Sequence, residues 1–485
     1  MGSSFDRYRG LLALAADAAV MLAAYYLSLG LRVDFRAPAY GWRCANLAAV
    51  VVVAMQLVAM TVFRAHRGSW GRFDIAHAAR IAFALGGAAA VFIGMRVALP
   101  GHFWARPPYT VSLINAVVAW VFMTVSRILY AAWLAERRKV PLFGRAAMAE
   151  VPEEVRGFFA GRCVMVTGAG GTIGSEISRQ VAALGPSRLV LVERGENALY
   201  EIDRRLRARA GCPVVPEMLD IRDRSRMEKA FAEHRPDVVI HAAAYKHVPM
   251  VEMNPREGLA NNFLATFDLA ELACRSGVKR FVFISTDKAV DPSSVMGATK
   301  RLGELVMSAT GGDGVFRAVR FGNVIGSSGS VIPLFEEQVA AGGPLTVTDA
   351  RMTRYFMSVA EAVSLVLRAA AMDGEGGVAK LYVLDMGAPR RIVEVAEEIA
   401  RRHGYRPYRD MPIVFTGMRP GEKLEEDLGV DVPGAVKTAH GKIFALKGAE
   451  IAHERLLELV GEARGLCVSS LSADELRERI LALVR

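Results

Sequence analysis

Hydrophobic residues follow two different patterns along the chain. Before residue 140 they form four long runs, and after residue 160 they form short runs separated by polar segments. The long runs cover about Gly10–Leu31, Cys44–Phe63, Ile81–Leu99 and Thr110–Leu134. Each run is close to the roughly 20 residues that a helix needs to cross a bilayer core, and each is apolar around its whole circumference. We therefore predict a transmembrane region of four helices over residues 1–139.

The distribution of charge predicts the orientation of these helices. Residues 1–150 hold 16 basic and 6 acidic residues, whereas the remainder holds 44 of each. Basic residues precede the first run, lie in the connector FRAHRGSWGRF between the second and third runs, and follow the fourth run. By the positive-inside rule these segments are cytoplasmic, which predicts a multi-pass membrane protein with a cytoplasmic C-terminal part. The neutral C-terminal part argues against binding to nucleic acid.

The sequence leaves open the role of two charged residues inside the predicted membrane helices. Asp17 and Arg127 lie inside predicted spans and would be costly if they faced lipid. They either pair with each other or with other helices, or line a functional groove.

The five cysteines are scattered without a CxxC motif, which favours reduced structural thiols and indicates neither a disulfide framework nor a metal site.

The C-terminal part begins, after a predicted linker at 140–159, with a nucleotide-binding pattern. The segment GRCVMVTGAGGTIGSEISRQVAALG reads as a strand, a glycine turn and a helix, with Gly168, Gly171 and Gly174 at TGxxGxxG spacing. These glycines permit a tight turn and let the backbone approach a pyrophosphate at the helix N-terminus. The next strand, RLVLVE, ends at Glu193, where a carboxylate suits ribose hydroxyls and favours NAD, although Arg194 keeps NADP open. Repeated strand and helix patterns predict a doubly wound parallel sheet.

The segment FISTDKAVDPSSVMGATKRLGE supplies the candidate chemistry. Thr286, Asp287 and Lys288 stand together where a predicted strand ends, and Met296 precedes Lys300 by four residues. The segment resembles the short-chain dehydrogenase/reductase superfamily, in which a tyrosine usually stands at the position of Met296, in the pattern Tyr-x-x-x-Lys. The C-terminal ends of parallel strands are where such folds bind their ligands.

Several separated motifs make the resemblance more specific. The blocks HAAAYKHVPMVEMNP, ISTDKAV, MGATKR, RFGNVIGSSGSVIPLF, TVTDARMTRYFMS and GMRPGEKLEEDL occur in this order. They resemble the membrane-bound nucleotide-sugar 4,6-dehydratases of bacterial polysaccharide and glycan synthesis over about residues 160–445, and the four preceding spans match as well. Long members of that family carry an extra domain after the membrane region, where this chain has only the short linker.

The resemblance implies an NAD-binding catalytic domain over residues 160–445, with a smaller C-terminal substrate-binding subdomain, and a helical segment over residues 446–485. It implies dehydration of a UDP-sugar, with UDP-N-acetylglucosamine favoured, to a 4-keto-6-deoxy sugar, by a multi-pass protein of the bacterial inner membrane. Asp220 is placed like the residue that touches adenine in the superfamily. The cofactor contacts implied are Thr167, Gly168, Gly171, Thr172, Ile173, Gly174, Glu193, Asp220, Ile221, Ala242, Ala243, Ala244 and Lys300.

Such a reaction requires an acid and a base near C5 and C6 of the sugar, and Asp287 and Lys288 supply both types of group. A lysine acts as a base near neutral pH only where its surroundings favour the neutral amine. Lys300 is expected to hold the nicotinamide ribose, and Thr286 to receive the C4 hydroxyl proton because Met296 cannot. The candidate substrate contacts are Lys246, Asn323, Arg354, Arg419 and Glu422.

Two other functions remain compatible with these residues. A UDP-sugar 4-epimerase uses the same fold and cofactor, but it normally retains the tyrosine and needs no elimination at C6. A membrane-tethered NAD-binding scaffold without catalysis would need the glycine turn but not Asp287, Lys288 and Lys300 together. The predicted partners are the UDP-sugar and the lipid bilayer, and a homo-oligomer is left open.

Overall fold

The computed structural model describes residues 2–36, 38, 41–63, 65, 75–99, 108–138, 152–208, 210–372, 380–430 and 435–485. The described chain forms two compact units. The first comprises Met1–Gly144, Val339–Leu345 and Glu397–Ile413, and the second comprises Arg145–Gln338, Thr346–Ala396 and Val414–Arg485. Residues 140–151 of the predicted linker and most of the FRAHRGSWGRF connector lie outside the described residues.

The N-terminal part of the first unit contains the four predicted helices. They are α1 (Gly2–Arg32), α2 (Trp42–Val62), α3 (Ile75–Ala98) and α4 (Tyr109–Arg138). Each contains a stretch that is long and apolar enough to cross a membrane. The third helix begins six residues before the predicted apolar run, because its first turns have the sequence IAHAAR, which is rich in strong helix formers.

Polar side chains inside these helices pair with one another. The guanidinium of Arg127 donates a 3.1 Å hydrogen bond to the carboxylate of Asp17, and both side chains are about 95% buried. Nε2 of Gln56 donates a 2.7 Å hydrogen bond to Oδ1 of Asn115. Of the alternatives that the sequence left open for Asp17 and Arg127, the structure shows the pairing of the two with each other, which fits the high cost of exposing either charge to lipid.

The second unit is built on a sheet of nine strands. The strands of the chain are β1 (Cys163–Thr167), β2 (Arg188–Glu193), β3 (Val214–Met218), β4 (Val238–His241), β5 (Arg280–Thr286), β6 (Val315–Phe321), β7 (Asn323–Ile325), β8 (Leu345–Val347), β9 (Thr353–Arg354), β10 (Phe356–Ser358), β11 (Leu381–Leu384), β12 (Arg390–Arg391), β13 (Ile413–Phe415), β14 (Val436–Lys437) and β15 (Ile443–Leu446). The order across the large sheet is β14-β15-β11-β6-β5-β4-β1-β2-β3. Strands β3 to β11 in this order are mutually parallel, and β15 and β14 add antiparallel pairs.

Helices fill the connections between the parallel strands. The remaining helices are α5 (Glu153–Phe159), α6 (Thr172–Ala182), α7 (Glu196–Arg207), α8 (Arg224–His234), α9 (Val248–Met253), α10 (Pro255–Leu259), α11 (Ala265–Arg275), α12 (Val295–Ala309), α13 (Val331–Ala340), α14 (Val359–Ala371), α15 (Ile392–Arg402), α16 (His453–Val468) and α17 (Ala473–Ala482). Apolar strand residues such as Val164, Val190 and Val239 are fully buried, as expected for a sheet covered on both faces. The predicted α/β class with a doubly wound parallel sheet is confirmed.

The boundaries near the two ends of the second unit differ from the sequence prediction. The last part of the predicted linker at 140–159 forms helix α5. Val155 and Phe159, four residues apart on one helix face, are buried in the core of the second unit. In the predicted C-terminal helical segment, Leu456, Val460 and Ile480 join the same core, so α16 and α17 are part of the folded unit.

Candidate active site

A cavity of about 900 Å³ lies in the second unit. It is bordered by the glycine turn after β1 and by the segments that follow β4, β5 and β6. In a doubly wound parallel sheet, the ligand-binding crevice forms where the strand order reverses. In this sheet that point lies between β1 and β4. Residues 348–354 and 419–426 contribute further parts of the lining. The fold thus brings most of the predicted motifs to one crevice.

The glycine turn shapes one end of the cavity. A Cβ atom on Gly174 would overlap the carbonyl oxygen of Gly168, so the first turn of α6 can pack against the turn only with glycine at position 174. Helix α6 has 11 residues, and Gly171, Thr172 and Ile173 at its N-terminus line the cavity. Backbone N–H groups at a helix N-terminus favour an anion, so this end of the cavity fits a pyrophosphate.

Glu193 lies against the glycine turn. Its Oε2 atom accepts a 3.2 Å hydrogen bond from the backbone N–H of Gly170, and its Oε1 atom accepts a 3.0 Å bond from that of Gly195. The carboxylate therefore fixes the backbone of the turn. Each oxygen keeps a second lone pair, so a ribose hydroxyl could still be accepted.

Basic residues surround the carboxylate of Asp220. Arg222 donates a 2.7 Å hydrogen bond to it, which together with Arg194 lowers the pKa of Asp220 against the opposing effect of burial. Arg194 also donates a 2.7 Å bond to the hydroxyl of Tyr245, a residue of the cavity lining. Asp220 is thus held by Arg222 and Arg194, and Arg194 connects it to the cavity lining through Tyr245.

Several predicted cofactor contacts are not part of the cavity lining. Among the described residues, the lining includes Gly171, Thr172, Ile173, Gly174, Ala242 and Ala244, but not Thr167, Gly168, Glu193, Asp220, Ile221 or Ala243. The hydroxyl of Thr167 is fully buried and lies 2.7 Å from Nδ1 of His241. Burial and the nearby Lys300 lower the pKa of His241 to about 3, so the imidazole is neutral at ordinary pH. Thr167 therefore links β1 to β4 through its contact with His241.

The predicted catalytic residues at the end of β5 form one hydrogen-bonded group. The hydroxyl of Thr286 donates a 2.8 Å bond to Oδ1 of Asp287, and Nζ of Lys288 donates a 2.9 Å bond to the same oxygen. Lys288 also donates a 3.3 Å bond to Oδ1 of Asn323. Thr286 and Lys288 line the cavity, whereas Asp287 is fully buried outside the described lining. Its Oδ2 atom is buried without a hydrogen-bond partner among the described residues.

Helix α12 brings Met296 and Lys300 to the same cavity. A Cβ atom on Gly297 would overlap the carbonyl oxygen of Lys288, so glycine is needed for the helix to approach the end of β5. Nζ of Lys300 donates a 2.8 Å bond to the carbonyl of Ile284. Burial lowers the pKa of Lys300 to about 7, against the opposing charge of Glu304. Met296 is buried, lines the cavity and offers no ionisable group there.

The predicted substrate contacts all line the cavity, but they differ in burial and in hydrogen-bond partners. Burial lowers the pKa of the Lys246 ammonium. Arg354 is buried and donates hydrogen bonds to the carbonyls of Thr353, Leu424 and Lys423 at 2.6 to 3.1 Å. Arg419 is more exposed, and its guanidinium bonds to Glu422 at 2.6 and 3.0 Å. Arg354 thus holds residues 423–424 in place, whereas Arg419 is on a more accessible edge.

The sequence reasoning missed Glu426, a buried residue of the cavity lining. Its Oε1 atom lies 3.7 Å from Nζ of Lys288 and 3.7 Å from a guanidinium nitrogen of Arg354. A signal for this burial was available in the pattern LEEDL: Leu428 and Glu426 are buried two residues apart, while Glu425 and Asp427 are exposed. This is the alternation of an extended segment with one face covered.

The doubly wound, mostly parallel sheet, the glycine turn and the cavity at the strand ends define a Rossmann-like α/β protein. More particularly, the chain belongs to the polysaccharide biosynthesis protein family, which it matches over residues 164–448.

Individual relatives include both dehydratases and epimerases. The probable polysaccharide biosynthesis protein EpsC of Bacillus subtilis is 46% identical over 59% of this chain. A UDP-N-acetylglucosamine 4,6-dehydratase (inverting) of Campylobacter jejuni is 30% identical over 55% of this chain and 77% of its own length. A UDP-glucose 4-epimerase of Rickettsia rickettsii is 31% identical over 56% of this chain and 78% of its own length.

The extent of the matches differs between relatives. The chain spans about half the length of EpsC, 48%, and of the capsular polysaccharide biosynthesis protein CapD of Staphylococcus aureus, 45%. Among solved structures, Pen from Bacillus thuringiensis matches with a TM-score of 0.53 and 28% identity, covering 63% of this chain and 99% of that chain. The relatives thus establish the family and the fold, and leave the reaction to be argued from the site.

Proposed function

We propose that this protein dehydrates a UDP-sugar, UDP-N-acetylglucosamine, to a 4-keto-6-deoxy sugar nucleotide for polysaccharide or glycan synthesis. The observation that carries the proposal is the group formed by Thr286, Asp287 and Lys288 at the end of β5, beside Lys300 and Met296. Removal of water from a sugar needs both an acid and a base at neighbouring carbons, and this group supplies carboxylate and amine within hydrogen-bonding distance.

The cavity fits a nicotinamide dinucleotide. Gly171, Thr172 and Ile173 at the N-terminus of α6 would hold the pyrophosphate, and Lys300 would hold the nicotinamide ribose. Glu193 favours NAD, because a carboxylate suits ribose hydroxyls and repels a 2′-phosphate. When bound, this group would accept hydride from C4 of the sugar and return it at C6 within one turnover.

Thr286 gives the C4 hydroxyl proton a route that does not need a tyrosine. Its hydroxyl already donates to Asp287, so it can accept the sugar proton as its own proton moves to the carboxylate. This assignment explains how a site with Met296 in place of a tyrosine can still assist oxidation at C4. Asp287 accepts this proton and, with Oδ1 at 2.9 Å from Nζ of Lys288, is the proposed acid for departure of the C6 hydroxyl.

Lys288 is the proposed base that removes the C5 proton. Its amine lines the cavity and is oriented by Asp287 at 2.9 Å and Asn323 at 3.3 Å. Once C4 is a ketone, the C5 proton is acidic and a positioned amine can remove it. Lys246 and Arg419 at the cavity edge are the proposed contacts of the diphosphate, because both are cations within the lining.

The competing epimerase function uses oxidation at C4 but no elimination at C6. The Rickettsia relative supports this function. The methionine at position 296 and the pair of Asp287 and Lys288 favour the dehydratase instead. The four candidate membrane helices support a multi-pass membrane protein, and the positive-inside rule supports a cytoplasmic position for the second unit.

The deciding experiment incubates the purified full chain with NAD and UDP-N-acetylglucosamine and analyses the nucleotide sugar by mass spectrometry. A dehydratase yields a product lighter by one water, an epimerase yields an isomer of unchanged mass that separates by chromatography, and a scaffold yields neither. Lys288→Met is the negative control for the dehydratase. An isomer of unchanged mass as the sole product would overturn the proposal in favour of epimerisation.

A further inference from the structure

An arginine directly follows the carboxylate that ends strand β2. Glu193 is the last residue of β2, and Arg194 is the next residue of the chain. In dinucleotide-binding sheets an acidic residue at this place accepts hydrogen bonds from the ribose of NAD, whereas an arginine nearby accommodates the 2′-phosphate of NADP. The chain thus carries both kinds of group side by side. Its selectivity between the two nucleotides depends on which of these groups is free to meet the ribose.

The guanidinium of Arg194 is bound to Tyr245. It donates a 2.7 Å hydrogen bond to the Tyr245 hydroxyl, and its central carbon lies 4.9 Å from the centre of the tyrosine ring. A cation over an aromatic face is attracted to the ring in addition to the hydrogen bond. Oδ2 of Asp220 is farther from the guanidinium, at 3.9 Å. The Tyr245 side chain is therefore the closer of these two partners of Arg194.

Asp220 is already occupied by another arginine. The backbone N–H of Arg222 donates a 2.9 Å hydrogen bond to Oδ1 of Asp220, and the guanidinium of Arg222 donates to both carboxylate oxygens at 2.7 to 3.1 Å. The same guanidinium donates a 2.9 Å bond to Glu257. An accessible ion pair at 3.9 Å adds little to this arrangement. The position of Arg194 consequently depends mainly on Tyr245.

The backbone of Tyr245 is fixed by a buried amide. Its N–H donates a 2.8 Å hydrogen bond to Oδ1 of Asn262, and its carbonyl accepts a 2.9 Å bond from Nδ2 of the same side chain. Asn262 is fully buried in the π-helical turn Ala260–Leu264. Tyr245 itself lines the cavity. The tyrosine is thus anchored at its backbone and can hold the arginine at its hydroxyl.

We propose that Tyr245 is a specificity-determining residue that disfavours NADP by keeping Arg194 engaged. The inference rests on the proposed function, in which NAD is the cofactor. A 2′-phosphate could gain the Arg194 cation only by displacing it from Tyr245. Without that cation the phosphate meets the carboxylate of Glu193, which the backbone N–H groups of Gly170 and Gly195 hold in place. NAD has no phosphate at this position, so it leaves the bond between Arg194 and Tyr245 intact.

Binding of the two nucleotides to the purified full chain tests this role. Isothermal titration with NAD and with NADP, after removal of bound nucleotide, gives two dissociation constants, and the readout is the Kd for NADP divided by the Kd for NAD. Tyr245→Phe removes the hydroxyl and keeps the ring. It should lower this ratio by about tenfold, the usual effect of one hydrogen bond to a charged group. Tyr200→Phe is the matched control and should keep the parent ratio, because Tyr200 is exposed on α7, outside the described cavity lining.

The effect of the tyrosine must act through the arginine. Arg194→Gln alone should leave the ratio unchanged, because in the parent this guanidinium is engaged by Tyr245. When Tyr245→Phe is added to Arg194→Gln, it should change nothing further. An unchanged ratio in a folded Tyr245→Phe, or a fall in the ratio that persists without Arg194, overturns the proposal.

The proposal stays testable if Tyr245→Phe does not fold. Arg194 is partly exposed, and its replacement then decides the matter alone. A rise of the ratio in Arg194→Gln would show that the arginine already serves the 2′-phosphate in the parent, which overturns the proposal, whereas an unchanged ratio supports it.

The same titrations separate this inference from the proposed function. A parent that binds neither nucleotide refutes the cofactor assignment and the proposed function with it. A parent that binds NADP as tightly as NAD overturns the role of Tyr245, and so does a selective parent whose selectivity survives in Tyr245→Phe. In both of these cases the proposed function remains to be judged by the loss of water from UDP-N-acetylglucosamine.

Discussion

Nζ of Lys300 donates a 2.8 Å hydrogen bond to the carbonyl oxygen of Ile284 and lies 4.4 Å from the centre of the Phe283 ring. The bond ties helix α12 to strand β5 immediately before the catalytic group. The amine is buried, and burial lowers its pKa to about 7, although Glu304 acts in the opposite direction. Lys300 is thus close to its titration point at the pH where the protein would work.

This position predicts a pH-dependent stability. Below pH 7 the native and unfolded states both hold the proton, so the full cost of burying the ammonium is present. Between pH 7 and about 10.4 the unfolded state still holds the proton that the native state has lost, so the free energy of unfolding should rise with pH by up to about 4 kcal/mol. Lys300→Met should remove this rise, which thermal unfolding of parent and variant between pH 6 and 9 would measure. A constant difference between the two proteins across this range would contradict the prediction.

The Thr286 hydroxyl should be required for oxidation at C4. Thr286→Val removes the group that donates to Asp287 at 2.8 Å while keeping the volume, and it should abolish the transient rise in NADH absorbance after addition of substrate. Thr286→Ser retains a hydroxyl and should keep most of this rise. Stopped-flow absorbance measures the difference. Equal traces for the valine and serine variants would exclude the hydroxyl as the route of the proton.

Lys288 should be required for removal of the C5 proton, the step that follows oxidation at C4. Lys288→Met leaves Thr286, Asp287 and Lys300 in place, so NAD should stay bound and some transient NADH should still form. Exchange of the C5 hydrogen with D₂O and formation of product should each fall by about 10²- to 10⁴-fold, the usual contribution of one acid–base group. Exchange at the parent rate would show that another residue is the base.

The glycine turn should tolerate no side chain at its third glycine. Gly174→Ala would force a Cβ atom against the carbonyl oxygen of Gly168 and displace the N-terminus of α6 from the cavity, so we expect loss of measurable NAD binding by isothermal titration. Gly157→Ala, in α5, is the matched control because a Cβ atom there meets no atom within 4 Å. It should bind NAD like the parent. Parent-like binding by Gly174→Ala would exclude this helix as the pyrophosphate site.

The sequence predicted those parts of the structure that follow from local pattern. Four long and mostly apolar runs predicted four long helices, and the TGxxGxxG turn followed by strand RLVLVE predicted the first part of the sheet. Thr286 and Lys288 could be placed at the cavity because strand β5 ends beside them.

The arrangement of side chains within the cavity could not be predicted in the same way. Glu426 reaches Lys288 across 138 positions of the chain, and only folding shows that it faces the amine. Asp287 was expected to act on the substrate because it stands beside Lys288 where a predicted strand ends, but it lies outside the described cavity lining. The buried position of its side chain depends on the short helical turn that begins at this residue.

A buried ion pair connects the two elements that carry the site. The guanidinium of Arg320, on β6, donates bonds of 2.7 and 3.0 Å to the carboxylate of Glu304, on α12, and both side chains are about 96% buried. Burial by itself would raise the pKa of Glu304, but Arg320, Arg301 and the Ser285 hydroxyl outweigh it and lower that pKa. Arg320 also donates to the carbonyl of Leu428, which fixes the segment that carries Glu426.

Replacement of this carboxylate should therefore destabilise the second unit. Glu304→Gln leaves the guanidinium of Arg320 buried without its ionised partner, which typically costs about 3–5 kcal/mol of unfolding free energy. In the parent this stabilisation should be present above about pH 4.3 and decline as pH falls through the lowered pKa of Glu304. Urea unfolding followed by far-ultraviolet circular dichroism at pH 7 measures the cost. Glu458→Gln, which breaks an exposed pair with Arg455, is the control and should leave the midpoint unchanged. Equal midpoints for Glu304→Gln and the parent would show that the pair does not stabilise the fold.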